Sequence, residues 1–149
     1  MKIAIGSDEM GFGLKQAIMG ALEENGYEYE DFGNFGDEPL LYPDIAHKVA
    51  KEVQSKNFDR GIIICGTGIG VAITANKVNG IRAAQITDIY QAERAAKSNN
   101  CNVVTLGGLT TGVEVGKMLV LRFLESEFQG GRSKPKVERM DQIDDEYRK

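Results

Sequence analysis

Two cysteines, Cys65 and Cys101, and one histidine, His47, are the only thiols and imidazole in this 149-residue chain. That is too few cysteines for a disulfide framework, and no spaced Cys and His ligands mark a zinc site, so free thiols and no metal are expected. Long apolar runs are missing too: none approaches the roughly 20 residues a membrane helix requires. The sequence enters a strand-like run at once, and a cytosolic protein without membrane contact is expected. Charge of one sign is also lacking, because 18 Lys and Arg are interspersed with 22 Asp and Glu for a net charge of −4. No broad cationic face for nucleic acid follows, so any anionic ligand must be held locally.

What is present is the alternation of one compact domain. Short β-branched runs at 2–6, 27–32, 61–65, 81–86 and 102–106 are separated by amphipathic segments, the pattern of βα units. The fold expected is a Rossmann-like open parallel sheet of five strands with helices on both faces. Helices are expected over 11–24, from Pro43 with Ile45, Val49 and Val53 inward, and over 68–78. Others are expected over 89–98 with Asp88 as cap, and over 113–128 with Val115, Leu119, Phe123 and Leu124 inward. From about residue 129 the composition turns charged, and a last helix over 136–147 is expected to pack on a partner subunit.

Open parallel sheets bind ligands at the carboxyl ends of their strands, which directs attention to residues 7–9, 33–43, 65–70, 85–90 and 107–112. The most informative stretch is "GIIICGTGIGVAI", residues 61–73. A dinucleotide fingerprint needs G-x-G-x-x-G, but Val71 stands where the third glycine belongs. A Walker loop needs Gly-Lys-Ser/Thr, and a Cys-x5-Arg phosphatase loop needs arginine at Val71. All three readings fail, and a nicotinamide-dependent oxidoreductase is disfavoured with the first.

What remains is a cysteine ending a buried strand, followed by backbone free to aim several N–H groups at one spot over a helix start. Such donors bind anions and stabilise a developing oxyanion. The same setting favours a thiolate at Cys65, as base or nucleophile, and Thr67 adds a hydroxyl. A cysteine ending a core strand is otherwise a small apolar packing residue, the reading Cys101 keeps.

"DRGIIICGTGIGVAITANKVNGIRAA", with "IAIGSD", "YPD" at 42–44 and "EFQGGR" at 127–132, resembles the ribose-5-phosphate isomerase B / galactose-6-phosphate isomerase family. The resemblance covers nearly the whole chain. It implies a dimeric or tetrameric, metal-free and cofactor-free enzyme with sites between subunits, interconverting aldose and ketose phosphates through an enediolate. It implies that Cys65 moves the proton between C1 and C2, while backbone N–H groups of Gly66, Thr67, Gly68, Ile69 and Gly70 hold the enediolate oxygen. It gives Asp8 and Asn99 roles on sugar oxygens and Arg132 a role on phosphate, with Lys136 a second cation. Tyr42 either lines the site or only packs. Arg82 and Arg94 are alternative cations, and for Arg94 a surface ion pair is the simpler reading.

The chain departs from the ribose-phosphate pattern at Glu9, Ser98, Leu109 and Lys136, where histidine, histidine, arginine and arginine are usual. His47 is expected on the polar face of its helix, as solvated surface. Family histidines are assigned to opening the sugar ring, and a four-carbon sugar phosphate forms no such ring. With "AERAAKSNN" at 92–100 and "GRSKPKV" at 131–137, the chain resembles the D-erythrulose 4-phosphate isomerase branch. Ribose 5-phosphate, or allose or galactose 6-phosphate, is the alternative substrate, with Thr67 or Glu9 opening the ring. A non-catalytic sugar-phosphate-binding subunit is a further class, disfavoured because Cys65 and Thr67 are both kept.

Overall fold

The sheet comprises β1 (Lys2–Ser7), β2 (Glu28–Asp31), β3 (Arg60–Cys65), β4 (Ala83–Gln85) and β5 (Val103–Gly107), in the order β2-β1-β3-β5-β4. These come from a computed structural model that describes residues 1–36 and 38–148. Every ladder is parallel, and the crossover helices that parallel pairing requires cover both faces. Helices α1 (Phe12–Glu24), α4 (Ile89–Lys97) and α5 (Val113–Leu124) pack on one face; α2 (Tyr42–Gln54) and α3 (Ile69–Ala75) pack on the other. The protein is thus a single α/β domain with a C-terminal helical extension, α6 (Lys134–Glu146). No described helix is long and apolar enough to cross a membrane.

Alternation along the strands divides the core. Ile3, Ile5, Ile62 and Ile64 face α1, α4 and α5, whereas Ala4, Ile63 and Cys65 face α2 and α3. Because both faces are covered, β3 reads as an unbroken apolar run. Ile62, Ile63 and Ile64 are fully buried, each contributing roughly 1.5–3 kcal/mol of transfer free energy.

Several boundaries differ from the sequence expectation, each for a local reason. Helix α5 ends at Leu124 because Arg60 takes its last carbonyls: its guanidinium donates to Phe123 O and, at 2.7 Å, to Ser126 O. The inward stripe of α5 is Gly116, Leu119, Val120, Phe123 and Leu124, and Val115 is 48% exposed. Gly116 takes the inner position because a Cβ there would lie 2.8 Å from Leu14 of α1. Strand β4 spans only three residues, since the Asn102 side chain intercepts Arg82 N at 2.8 Å and Gly80 O at 2.9 Å.

Helix α3 stops at Ala75, where the Asn76 side chain accepts from Ala83 N at 2.8 Å and donates to Ala83 O at 2.9 Å. Asp88 caps α4 as expected, accepting from Gln91 N at 2.8 Å. Helix α6 starts at Lys134, two residues early, because Pro135 in its first turn forgoes an N–H that would have no partner there. Asp144 of α6 accepts from Asn79 Nδ2 at 2.8 Å and Gly80 N at 3.0 Å, and Asp141 pairs with Arg82 at 3.1 Å. The Gly80 N–H holds the Asp144 carboxyl below its ordinary range.

Lys15 is an interior surprise. Its side chain is wholly buried in α1, with Nζ 2.7 Å from Asp31 and a further bond to Asn34 O. The pair ties α1 to the end of β2 and to the segment that follows it.

Candidate active site

The sheet reverses its winding between β1 and β3, and the carboxyl ends of these two strands lie side by side, Ser7 opposite Ile64. That is where an open parallel sheet presents a crevice. Cys65 ends β3 at 4% exposure, and its Sγ accepts the N–H of Gly68 at 3.2 Å. The turn depends on Gly68, whose φ of +80° suits glycine and whose Cβ would lie 2.8 Å from the Leu106 carbonyl carbon. Thr105, buried in β5, donates its hydroxyl to Gly68 O at 2.7 Å. Cys65, Gly68 and Thr105 therefore lock one another.

Thr67 is exposed; its Oγ1 accepts from Ile69 N at 3.2 Å and its carbonyl accepts from Gln85 Nε2 at 2.8 Å. Gly66 accepts Leu109 N at 3.0 Å, and the Leu109 side chain lies over Gly66. Gly70 admits the ring of Tyr42, which any larger residue would displace. The N–H groups of Thr67 and Gly70 meet no acceptor among the described residues. The loop thus presents a sulfur and unspent N–H donors at one mouth, the requirement for removing a proton next to a carbonyl.

Asp8 continues from β1 beside this loop, donating its N–H to Ile64 O at 3.2 Å and accepting Gly11 N on Oδ1 at 3.0 Å. It is 7% exposed, and burial raises its carboxyl above the ordinary carboxylate range; the Gly11 N–H opposes this and the Glu9 carboxylate adds to it. Glu9, half-buried, accepts Leu40 N on Oε2 at 3.3 Å, so the segment leading to Tyr42 is tied to the end of β1. Asp37 of that segment lies outside the described residues.

Asn99 opens onto a neighbouring cavity of about 320 Å³ with Gln85, Ile86, Tyr90 and Arg94. Gln85 joins this cavity to the loop through its bond to Thr67. Ser98 ends α4 and accepts from Arg94 Nε at 2.7 Å. Arg94 also pairs with Glu93 at 3.5 Å, as a surface ion pair would. Arg82 is spent on Asn100 O and Asp141.

Arg132, in a 3-10 turn (Gly131–Ser133), and Lys136, in α6, are both exposed. Neither touches the Cys65 loop among the described contacts. His47 is exposed on α2, beside a separate groove with Lys51 and Lys77. Sequence reasoning missed Thr105 and the role of Gln85; a threonine inside an apolar strand carries no signal of the carbonyl it serves. Among the described residues, no three His, Cys, Asp or Glu side chains converge on a point.

The sequence pattern of the Ribose/Galactose Isomerase family matches residues 3–140. The Listeria innocua protein named Ribose-5-P isomerase B is 55% identical over 99% of this chain and 100% of its own length. The D-erythrulose-4-phosphate isomerase of Pectobacterium atrosepticum is 45% identical, over 94% of this chain and 93% of its own. The solved Ribose-5-Phosphate Isomerase B of Clostridium thermocellum superposes with a TM-score of 0.96 at 46% identity, covering 99% of both chains.

These similarities overturn the placement in the D-erythrulose 4-phosphate branch, since a protein named for the ribose reaction is more similar and over more of the chain. The lack of histidine at Glu9 and Ser98, from which that placement was argued, does not by itself report sugar length.

Proposed function

This chain belongs to the ribose/galactose isomerase family and is an aldose–ketose isomerase of small sugar phosphates; we propose that it interconverts ribose 5-phosphate and ribulose 5-phosphate. The observation that carries this substrate is the end-to-end similarity to the Listeria Ribose-5-P isomerase B. The loop geometry supports the chemistry. Cys65 takes the proton from C2 of the open aldose and returns it to C1, while the Thr67 and Gly70 N–H groups hold the enediolate oxygen.

Asp8, fixed by Gly11 N, orients a sugar hydroxyl, and Asn99 binds another from the adjoining cavity. Tyr42 walls the mouth over Gly70. Arg132 and Lys136 hold the phosphate. Because neither reaches the loop of its own chain, the reading places them at the loop of a second subunit in a homodimer or dimer of dimers.

Efficiencies on ribose 5-phosphate, allose 6-phosphate and galactose 6-phosphate, measured side by side, test the substrate. The highest kcat/KM is expected on ribose 5-phosphate, and a higher value on either hexose phosphate overturns it. Cys65→Ala is expected to abolish turnover while leaving sugar-phosphate binding in place; an active variant overturns the role of the thiol.

A further inference from the structure

Ribose 5-phosphate closes to a furanose by attack of O4 on C1, whereas ribulose 5-phosphate, with its carbonyl at C2 and O5 phosphorylated, stays open. Working from the aldose therefore demands a step that working from the ketose does not. The O1 hydroxyl must lose a proton, the C1–O4 bond must break as C1=O forms, and O4 must gain a proton. A group that accepts and then gives a proton at the mouth of the Cys65 loop is needed, and the only imidazole, His47, stands exposed on the far groove of α2.

Asp8, Thr67 and Glu9 each bring an oxygen close to the loop. Asp8 is nearly enclosed and holds Gly11 N on Oδ1. The Thr67 hydroxyl accepts Ile69 N. Glu9, like Asp8, has one carboxylate oxygen held by a backbone N–H, Oε2 by Leu40 N at 3.3 Å, and the other bonded to no described residue, but it differs in being half-buried and so open to a sugar. Leu40 leads directly to Tyr42, whose ring lies on Gly70, so Glu9 and the N–H loop are held by the two ends of one short segment.

Resting on the pentose-phosphate reading above, we propose that Glu9 is the ring-opening residue. Its carboxylate takes the proton from O1 and delivers it to O4 as the C1–O4 bond breaks; the carboxylate ends unchanged and no other reactant is consumed.

Glu9→Gln tests this, because glutamine still offers an oxygen to Leu40 N but relays no proton. Initial rates are measured with ribose 5-phosphate and, separately, with ribulose 5-phosphate, the aldehyde product of the second closing in solution. The expected result is asymmetric: as the concentration of the glutamine variant is raised, its initial rate on ribose 5-phosphate levels off at the uncatalysed rate of ring opening, whereas its rate on ribulose 5-phosphate, and both wild-type rates, keep rising in proportion to enzyme. Glu9→Asp, which keeps a carboxylate, is expected to remove part of that asymmetry. A rate on ribose 5-phosphate that keeps rising in proportion to the glutamine variant means that Glu9 only positions the Leu40 segment if activity is lowered, or is idle if it is not; both overturn the proposal. Wild-type enzyme inactive on both pentose phosphates would instead remove the substrate reading on which it rests.

Discussion

Thr105 holds Gly68 through a 2.7 Å bond from a fully buried hydroxyl to the Gly68 carbonyl, and Gly68 in turn aims its N–H at the Cys65 sulfur. A core strand thereby sets the geometry of the turn that follows Cys65. Thr105→Val keeps the shape and removes the donor, leaving a buried carbonyl unpaired, at a cost of about 1–3 kcal/mol. Urea unfolding is expected to report that loss, and kcat to fall more than KM rises. Thr105→Ser is expected to restore both; a valine variant with wild-type kcat would break the link between β5 and the thiol.

Asp8 carries a charge that folding opposes. Its folded carboxyl is raised by burial, so its stabilising contribution is full below the unfolded value near 3.8 and is lost as pH rises through the folded value. Above that folded value the protein therefore holds the Asp8 carboxylate against its own stability. Asp8→Asn keeps an oxygen for Gly11 N, and its melting temperature at pH 7 is expected to exceed wild type while kcat/KM drops. Below about pH 3.8 the advantage is expected to vanish. A lower melting temperature at pH 7 would contradict this.

Cys101 is buried at the foot of β5, and burial pushes its thiol up to about 11 from an ordinary 9.0. The unfolded chain thus releases this proton first, and stability is expected to fall by about 2–3 kcal/mol as pH rises from 9 to 11. Cys101→Ala is expected to flatten that part of the profile. If denaturant midpoints of the two proteins decline in parallel across this window, the thiol is not the titrating group.

The proposal that Arg132 serves the loop of a second subunit makes a prediction about mixtures. Cys65→Ala and Arg132→Ala are each expected to be nearly inactive alone. Randomly reassorted dimers of the two should regain about a quarter of wild-type activity, since half are mixed and each of those has one intact site. A mixture no more active than its parents would place Arg132 outside the partner's site.

Much of this was legible in the sequence wherever one residue's chemistry speaks for itself. The unbroken Ile-Ile-Ile run declared a strand covered on both faces, Asp88 declared a helix start, and Cys-Gly-Thr-Gly declared a tight turn at the strand's end. The tetrose assignment failed because histidines missing at Glu9 and Ser98 say less about the substrate than similarity along the whole chain does. Lys15 was illegible for another reason. Its position in α1 reads as surface until Asp31 and Asn34, distant in sequence, supply the partners that let it go inside. The inward stripe of α5 was misplaced by one residue at its start because a glycine, invisible to hydrophobic periodicity, offers the closest approach to Leu14.

The Asn76 amide, set on both backbone groups of Ala83, acts at a border of the sheet, for β4 is an outermost strand. An unpaired strand border is a template on which another chain can add. Here one side chain imitates the neighbour that is missing, and a three-residue strand offers little else to pair with. What looks like a helix stop is therefore also protection against fibrous self-association, and its worth would be felt at high protein concentration while turnover stayed the same.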